Sequence, residues 1–181
     1  MGLWNGRSLL PRKPDEVVYV DASKWGIGAY YRDNSGHESR AHRFFREEDK
    51  THINERELLA AEFGLRSFAA KFNWKDRNIV IKTDNIVALS YLNKMGGKKP
   101  RLSRIAERIH QFALERKIIL SAEWIPGVEN VEADKVSRIE GDFSDKSLCR
   151  DVFQLIERRF GPVDLDLFAI ASTRRHGPSS A

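Results

Sequence analysis

The chain has 181 residues, of which 41% are hydrophobic and 31% charged, with 12 Gly and 6 Pro. That is the composition of one folded domain with short extensions, not of a disordered or collagen-like chain. Its lone cysteine, Cys149, excludes an internal disulfide, no Cys/His set has zinc-ligand spacing, and no apolar run approaches the roughly 20 residues of a membrane helix. Lys+Arg total 31 and Asp+Glu 26, a net charge of +5.

Residues 1–14 read as a lead-in. They lack the uninterrupted apolar core of a signal peptide, and Gly6 breaks the myristoylation pattern. An intracellular protein is expected, with cytoplasm or nucleus unresolved and no membrane partner. Val17 to Val20 is a β-branched and aromatic run ending at Asp21, the signature of a buried strand. Gly26 to Arg32 is a second strand, Asp33 to Gly36 a turn, and Glu38 to Phe45 a third strand completing an antiparallel meander. The period then lengthens. Leu58, Ala61, Leu65, Phe68 and Phe72 recur every three or four residues, so a helix starts between Thr51 and Asn54 and ends near Phe72. Ile79 to Ile81 is a fourth strand, ending at Thr83-Asp84, and Ile86 to Leu92 a short helix.

A basic loop follows from Asn93 to Pro100, punctuated by Gly96-Gly97. Ser103 is then the expected N-cap of a helix reaching about Arg116, with Ile105, Ile109, Phe112 and Ala113 on one face. From Lys94 to Lys117 eight cations face only Glu107 and Glu115, a local +6 that leaves −1 for the rest of the chain. Such asymmetry suits an acidic partner, most commonly nucleic acid; a solvated lysine-rich loop is the plainer alternative. Ile118 to Ile125 is a fifth strand, Pro126-Gly127 a turn, and Asn130 to Ser137 a helix. Beyond Gly141, Leu148, Val152, Phe153, Ile156 and Phe160 fit one more amphipathic helix, within an extension to about residue 170; residues 171–181 read as a disordered tail. The domain proper spans 15–140. Its element order predicts an α/β fold with a five-stranded mixed sheet, three antiparallel strands then parallel additions, flanked by helices.

Three acids, Asp21, Glu57 and Asp84, sit where these elements begin or end, and a fourth, Asp134, lies on the helix after strand five; the spacings are 36, 27 and 50 residues. Each has a structural explanation. Asp21 can cap a turn, Glu57 can close a capping box with Asn54, Asp84-Asn85 can be a helix N-cap region, and Asp134 is an ordinary first-turn acid. Together, in this order, they make sense as a cluster. If strands one and four are neighbours, Asp21 and Asp84 lie side by side. Carboxylates about 4 Å apart repel by roughly 4 kcal/mol at an effective dielectric near 20. Divalent cations would relieve that, and oxygen-only donors favour Mg²⁺, or Mn²⁺ in its place.

At this point the sequence resembles the ribonuclease H family, through Val18 to Ser23 with Gly26 to Ala29, Asn54 to Ala61, Thr83-Asp84-Asn85, and Asn130 to Asp134. The resemblance implies a ribonuclease H-like fold and a two-metal site on Asp21, Glu57, Asp84 and Asp134. It is nearer to the ribonuclease H domains of reverse-transcribing retroelements: Trp124-Ile125-Pro126-Gly127 through Ala133-Asp134-Lys135-Val136-Ser137-Arg138 is similar to their His-Ile-Pro-Gly…Asn…Ala-Asp…Leu-Ser-Arg signature. Asn93 to Gly97 and Val163 to Ala169 resemble the DIRS-like, tyrosine-recombinase-encoding elements, which implies a polymerase domain in the same polyprotein. Trp124 stands where many members carry a histidine that aids proton transfer or product release.

The implied activity is cleavage of the RNA strand of an RNA–DNA hybrid. Asn54 and Asn85 would reach groove edges or sugars, and Lys94, Lys98, Lys99, Arg101 and Arg104 would hold phosphates. Trp25 and Tyr31 either stack on the nucleic acid or, as the favoured reading, belong to the core, and His42, His52 and His110 are expected on the surface. Two other readings compete. One is a catalytically weak module of the same fold that positions a hybrid. The other is an integrase- or transposase-type nuclease, against which the second-placed Glu57 argues.

Overall fold

The computed structural model describes residues 13–45 and 51–138. Five strands form one sheet in the order β3-β2-β1-β4-β5: β1 (Glu16–Ala22), β2 (Gly26–Arg32), β3 (Glu38–Phe44), β4 (Asn78–Thr83) and β5 (Ile119–Trp124). The first three strands pair antiparallel, and β4 and β5 add in parallel. The expected fold class is therefore the observed one. Strand β1 runs one residue past its expected end at Asp21, because Ala22 still pairs with Ile27 across the hairpin.

Helices cover both faces. Helix α1 (Ile53–Lys71) lies on one, with α2 (Ile86–Lys94) and α3 (Pro100–Glu115) beside it; α4 (Val131–Ser137) lies on the other. Gly64 of α1 faces Val18, Val20 and Ala29, and these side chains, with Leu58, Leu65, Phe68, Ile81, Ile105 and Ile109, form the buried core. Tyr31 joins it, its ring 5.0 Å from those of Phe72 and Trp74. Alternation along β2 turns Gly28 to the opposite face, where α4 comes so close that a Cβ would stand 2.4 Å from the Ser137 backbone N and 2.7 Å from the Ala133 carbonyl. Glycine is what lets α4 lie on the sheet here.

Helix starts depart most from expectation. The N-cap of α1 is His52, whose ring accepts from the Asn54 N–H; Asn54 lies inside the helix, so Glu57 closes no capping box with it. Helix α3 begins at Pro100 with Lys99 as N-cap, not at Ser103. Proline's fixed φ suits the first helical position and its missing N–H is no loss there. Ser103 instead ties down the preceding turn, donating to the Gly97 carbonyl and accepting from the Gly97 N–H. Arg101 thus sits on the helix with Arg104, ahead of the expected helix start. The histidines divide: His52 is exposed, whereas His42 packs edge-on against Phe44 and is half-buried, and His110 Nε2 lies 2.7 Å from the Leu92 carbonyl.

No helix among the described residues is long and apolar enough to cross a membrane. The lead-in to residue 12, the helix expected through Leu148 and Phe160, and the tail lie outside the described residues.

Candidate active site

The parallel strands β1 and β4 bring the site together at their carboxyl ends, where open α/β sheets commonly bind ligands. Val18 pairs with Ile81 and Tyr19 with Lys82. Carrying that register on by two residues sets Asp21 beside Asp84, which follows the last residue of β4. Glu57, on the second turn of α1, reaches the same place. Oxygens of Asp21, Glu57 and Asp84 lie within 4.8 Å of one another. The three acids line a cavity of about 380 Å³ together with Asp134, Arg138, Lys24 and Trp25.

These carboxyls are held rather than loose. Ser137 Oγ donates to Asp21 Oδ2, joining α4 to β1. The Ala22 N–H supports Glu57, while Glu57 Oε2 is buried without a hydrogen-bond partner. Gly127 leaves room for the Asp84 carboxylate: a Cβ there would stand 2.8 Å from Oδ2. Trp124 Nε1 donates to the Asp84 carbonyl at 3.1 Å. Behind the β1–β2 hairpin, Arg56 Nη1 donates to the Ser23 and Lys24 carbonyls. Buried Asn130 donates to the Val20 carbonyl, fixing the start of α4 against β1.

Burial and then crowding raise the proton affinities of Glu57 and Asp21. Glu57 is pushed up to about 9, first by burial and then by Asp21 and Asp84. Asp21 rises to about 6, burial outweighing the Ser137 hydrogen bond, with Asp84 and Asp134 adding repulsion. Hard oxygen donors alone, mutual repulsion and an unpartnered buried Oε2 together fit a divalent cation of the Mg²⁺ kind.

Asp134 stands apart. It lines the cavity but lies outside the tight set of three, and its Oδ1 pairs with Arg138 Nε at 2.7 Å. Asn54 and Asn85 meet beside the cluster: Asn85 Oδ1 caps α2 by accepting from the Ala88 N–H, and Asn85 Nδ2 donates to Asn54 Oδ1. Lys94, Lys98, Lys99, Arg101 and Arg104 form a separate exposed shoulder at the α2–α3 junction. Trp25, expected in the core, is 37% exposed on the cavity rim with Lys24 over its ring. Sequence reasoning gave no site role to Ser137 or Arg138 and favoured the core for Trp25. Only Arg138 had a local signal, being four residues from Asp134 on one helix.

Residues 12–112 match the family described as the RNase H-like domain found in reverse transcriptase. The chain belongs to that family. No curated protein matches this RNase H-like chain in sequence. Among solved structures it is similar to ribonuclease H1 from the halophilic archaeon Halobacterium salinarum, with 19% identity, TM-score 0.56, and 67% of this chain covering 92% of that one. It is also similar to a ribonuclease H1 isolated from compost by a metagenomic approach, with 24% identity, TM-score 0.54, and 68% of this chain covering 93% of that one. A second structure of the compost protein, in complex with an RNA/DNA hybrid, matches at 23% identity and TM-score 0.54, with 67% of this chain covering 92% of that one. At these identities the likeness is one of fold.

Proposed function

We propose that this RNase H-like domain is a metal-dependent endonuclease that hydrolyses the RNA strand of RNA–DNA hybrids during reverse transcription. The observation that carries the reading is the convergence of Asp21, Glu57 and Asp84 on one cavity, where burial and then mutual repulsion raise the proton affinities of Asp21 and Glu57. Family membership and the hybrid bound to the compost ribonuclease H1 support the substrate class.

In this reading Asp21, Glu57 and Asp84 hold Mg²⁺, or Mn²⁺ in its place, with Asp134 as the fourth acid. Two such ions, when bound, supply charge neutralisation at the scissile phosphate and activation of a water. The chain's own residues do the positioning. Ser137 orients Asp21, Ala22 holds one oxygen of Glu57 and leaves the other unpartnered, Trp124 ties down the Asp84 backbone, and Gly127 leaves room for the Asp84 carboxylate. Asn54 and Asn85 lie where groove edges or sugars would pass. The α2–α3 cations hold phosphates along the duplex. The Asn93–Gly97 resemblance supports placing the domain in a DIRS-like retroelement polyprotein alongside its polymerase.

A weakly catalytic hybrid-binding module draws on one observation, the engagement of Asp134 by Arg138. A labelled hybrid incubated with and without Mg²⁺ separates the readings. We expect Mg²⁺-dependent cuts in the RNA strand, with the DNA strand and duplex DNA intact. Binding without cleavage would favour the module, and comparable cutting of duplex DNA would favour an integrase-type nuclease.

A further inference from the structure

Arg138 caps the C-terminus of α4, its N–H donating to the Asp134 and Val136 carbonyls. Its side chain folds back by one turn onto Asp134 Oδ1. Among the described residues the cavity wall carries one other cation, Lys24, whose ammonium sits 4.3 Å from the Trp25 ring centroid. Arg138 is therefore the cation that faces the acids, close enough to Asp21 to lower its proton affinity. The ion pair also accounts for the position of Asp134: one of its oxygens is engaged by a guanidinium while the other three acids converge. The pair is weakly held, with side-chain exposures of 67% for Arg138 and 35% for Asp134. Losing an exposed pair of this kind shifts a competing equilibrium by no more than about fivefold. A divalent charge inside the cavity outbids it. Once displaced, the guanidinium stands at the cavity mouth, where the next anionic group of a bound duplex is a backbone phosphate. A planar guanidinium can take two phosphate oxygens at once.

We infer that Arg138 is a partner-switching positioning residue. It holds Asp134 while no divalent cation is bound, and turns to a substrate phosphate when Asp134 is drawn into cation coordination. The inference rests on the metal-dependent reading above and adds a phosphate-contacting residue to it.

The test uses the full chain with Arg138→Gln and Arg138→Lys, and Ca²⁺ as an oxygen-seeking probe cation. The first measurement is Ca²⁺ affinity by calorimetry without hybrid. The second is hybrid affinity in Ca²⁺ across a salt series by fluorescence anisotropy, with hybrid integrity checked on a gel. Arg138→Gln should bind Ca²⁺ about two- to fivefold more tightly, bind hybrid more weakly, and lose about 0.7–0.9 from the log–log salt slope. Arg138→Lys keeps the charge and should restore the wild-type Ca²⁺ affinity. A merely structural arginine would give weaker or unchanged Ca²⁺ binding, and that result overturns the inference, as does tighter Ca²⁺ binding with an unchanged salt slope. Failure of the wild-type chain to bind Ca²⁺ would instead strike the metal-dependent reading itself.

Discussion

At the carboxyl ends of β1 and β4, Asp21 and Glu57 are 7% and 4% exposed, and each is gripped by a hydroxyl or a backbone N–H. At the α2–α3 junction, five cations are exposed and none forms an ion pair among the described residues. The first region collects like charges out of water, so its geometry is costly unless something neutralises it. The second collects like charges in water, where repulsion is screened and orientation is free. Chemistry needs the first kind of placement, because reacting groups must be fixed. Tracking a phosphate backbone needs only the second.

The contrast is broken most severely by removing an acid. Asp84→Asn and Asp21→Asn should each lower Mg²⁺-dependent hybrid cleavage by more than about 100-fold, since even the outer partners of metal ligands are worth about 10–100-fold. Near-wild-type cleavage by either folded variant would remove the assignment. The same substitutions should help the metal-free fold. Burial raises Asp21 from 3.8 to about 6 and Glu57 from 4.5 to about 9, so the folded protein binds these protons more tightly than the unfolded chain. That contribution is complete below about pH 4 and is lost as pH rises through 6 and then 9. Metal-free stability should therefore fall across this window, with Asp21 accounting for about 3 kcal/mol. Asp21→Asn should flatten the lower half of the curve, and Mg²⁺ should restore the wild type. Parallel pH–melting curves for variant and wild type would contradict the raised Asp21.

Replacing Lys98, Lys99 and Arg101 by Ala should sharpen the contrast from the other side. Hybrid binding should weaken and its salt slope shrink by roughly 2–3, at about 0.7–0.9 per lost contact, while cleavage at saturating hybrid changes little. An unchanged slope would mean a solvated shoulder that touches no phosphate. The smallest effect is expected of Trp124→Phe. It removes one hydrogen bond to the Asp84 carbonyl, worth about 0.5–1.5 kcal/mol, and thermal melting together with Mg²⁺ titration would register it.

Local chemistry made much of this molecule legible in its sequence. Strand β2 was bounded correctly because Gly26 and the Asp33 to Gly36 turn punctuate it, and α1 showed its buried stripe directly. The order and context of Asp21, Glu57 and Asp84 were readable too, because Asp21 and Asp84 lie at the ends of β1 and β4 and Glu57 early in α1. What escaped notice was decided elsewhere. Ser137 reaches Asp21 across 116 residues of chain, and no local pattern announces that. Trp25 looks apolar enough for the core, but the hairpin turns it outward beside Lys24. The start of α3 went to Ser103 because its hydroxyl is a good cap, although Pro100 offered a stronger backbone reason. The Asp134–Arg138 pair has a four-residue spacing that marks neighbours on one helix face, but the same spacing fits a solvated pair equally well.

The paired amides of Asn54 and Asn85 have a direction. The Ala88 N–H can only donate, so it obliges Asn85 to present its oxygen to the helix and its nitrogen to Asn54; Asn54 must then turn its own oxygen inward. The end of this relay that faces away from α2 is the Asn54 NH₂, a donor. On the proposed function, a nucleic acid reaching Asn54 would meet N–H rather than C=O, which suits ring nitrogens, keto oxygens or sugar hydroxyls acting as acceptors. A helix cap thereby sets the polarity of the floor on which a nucleic acid would rest.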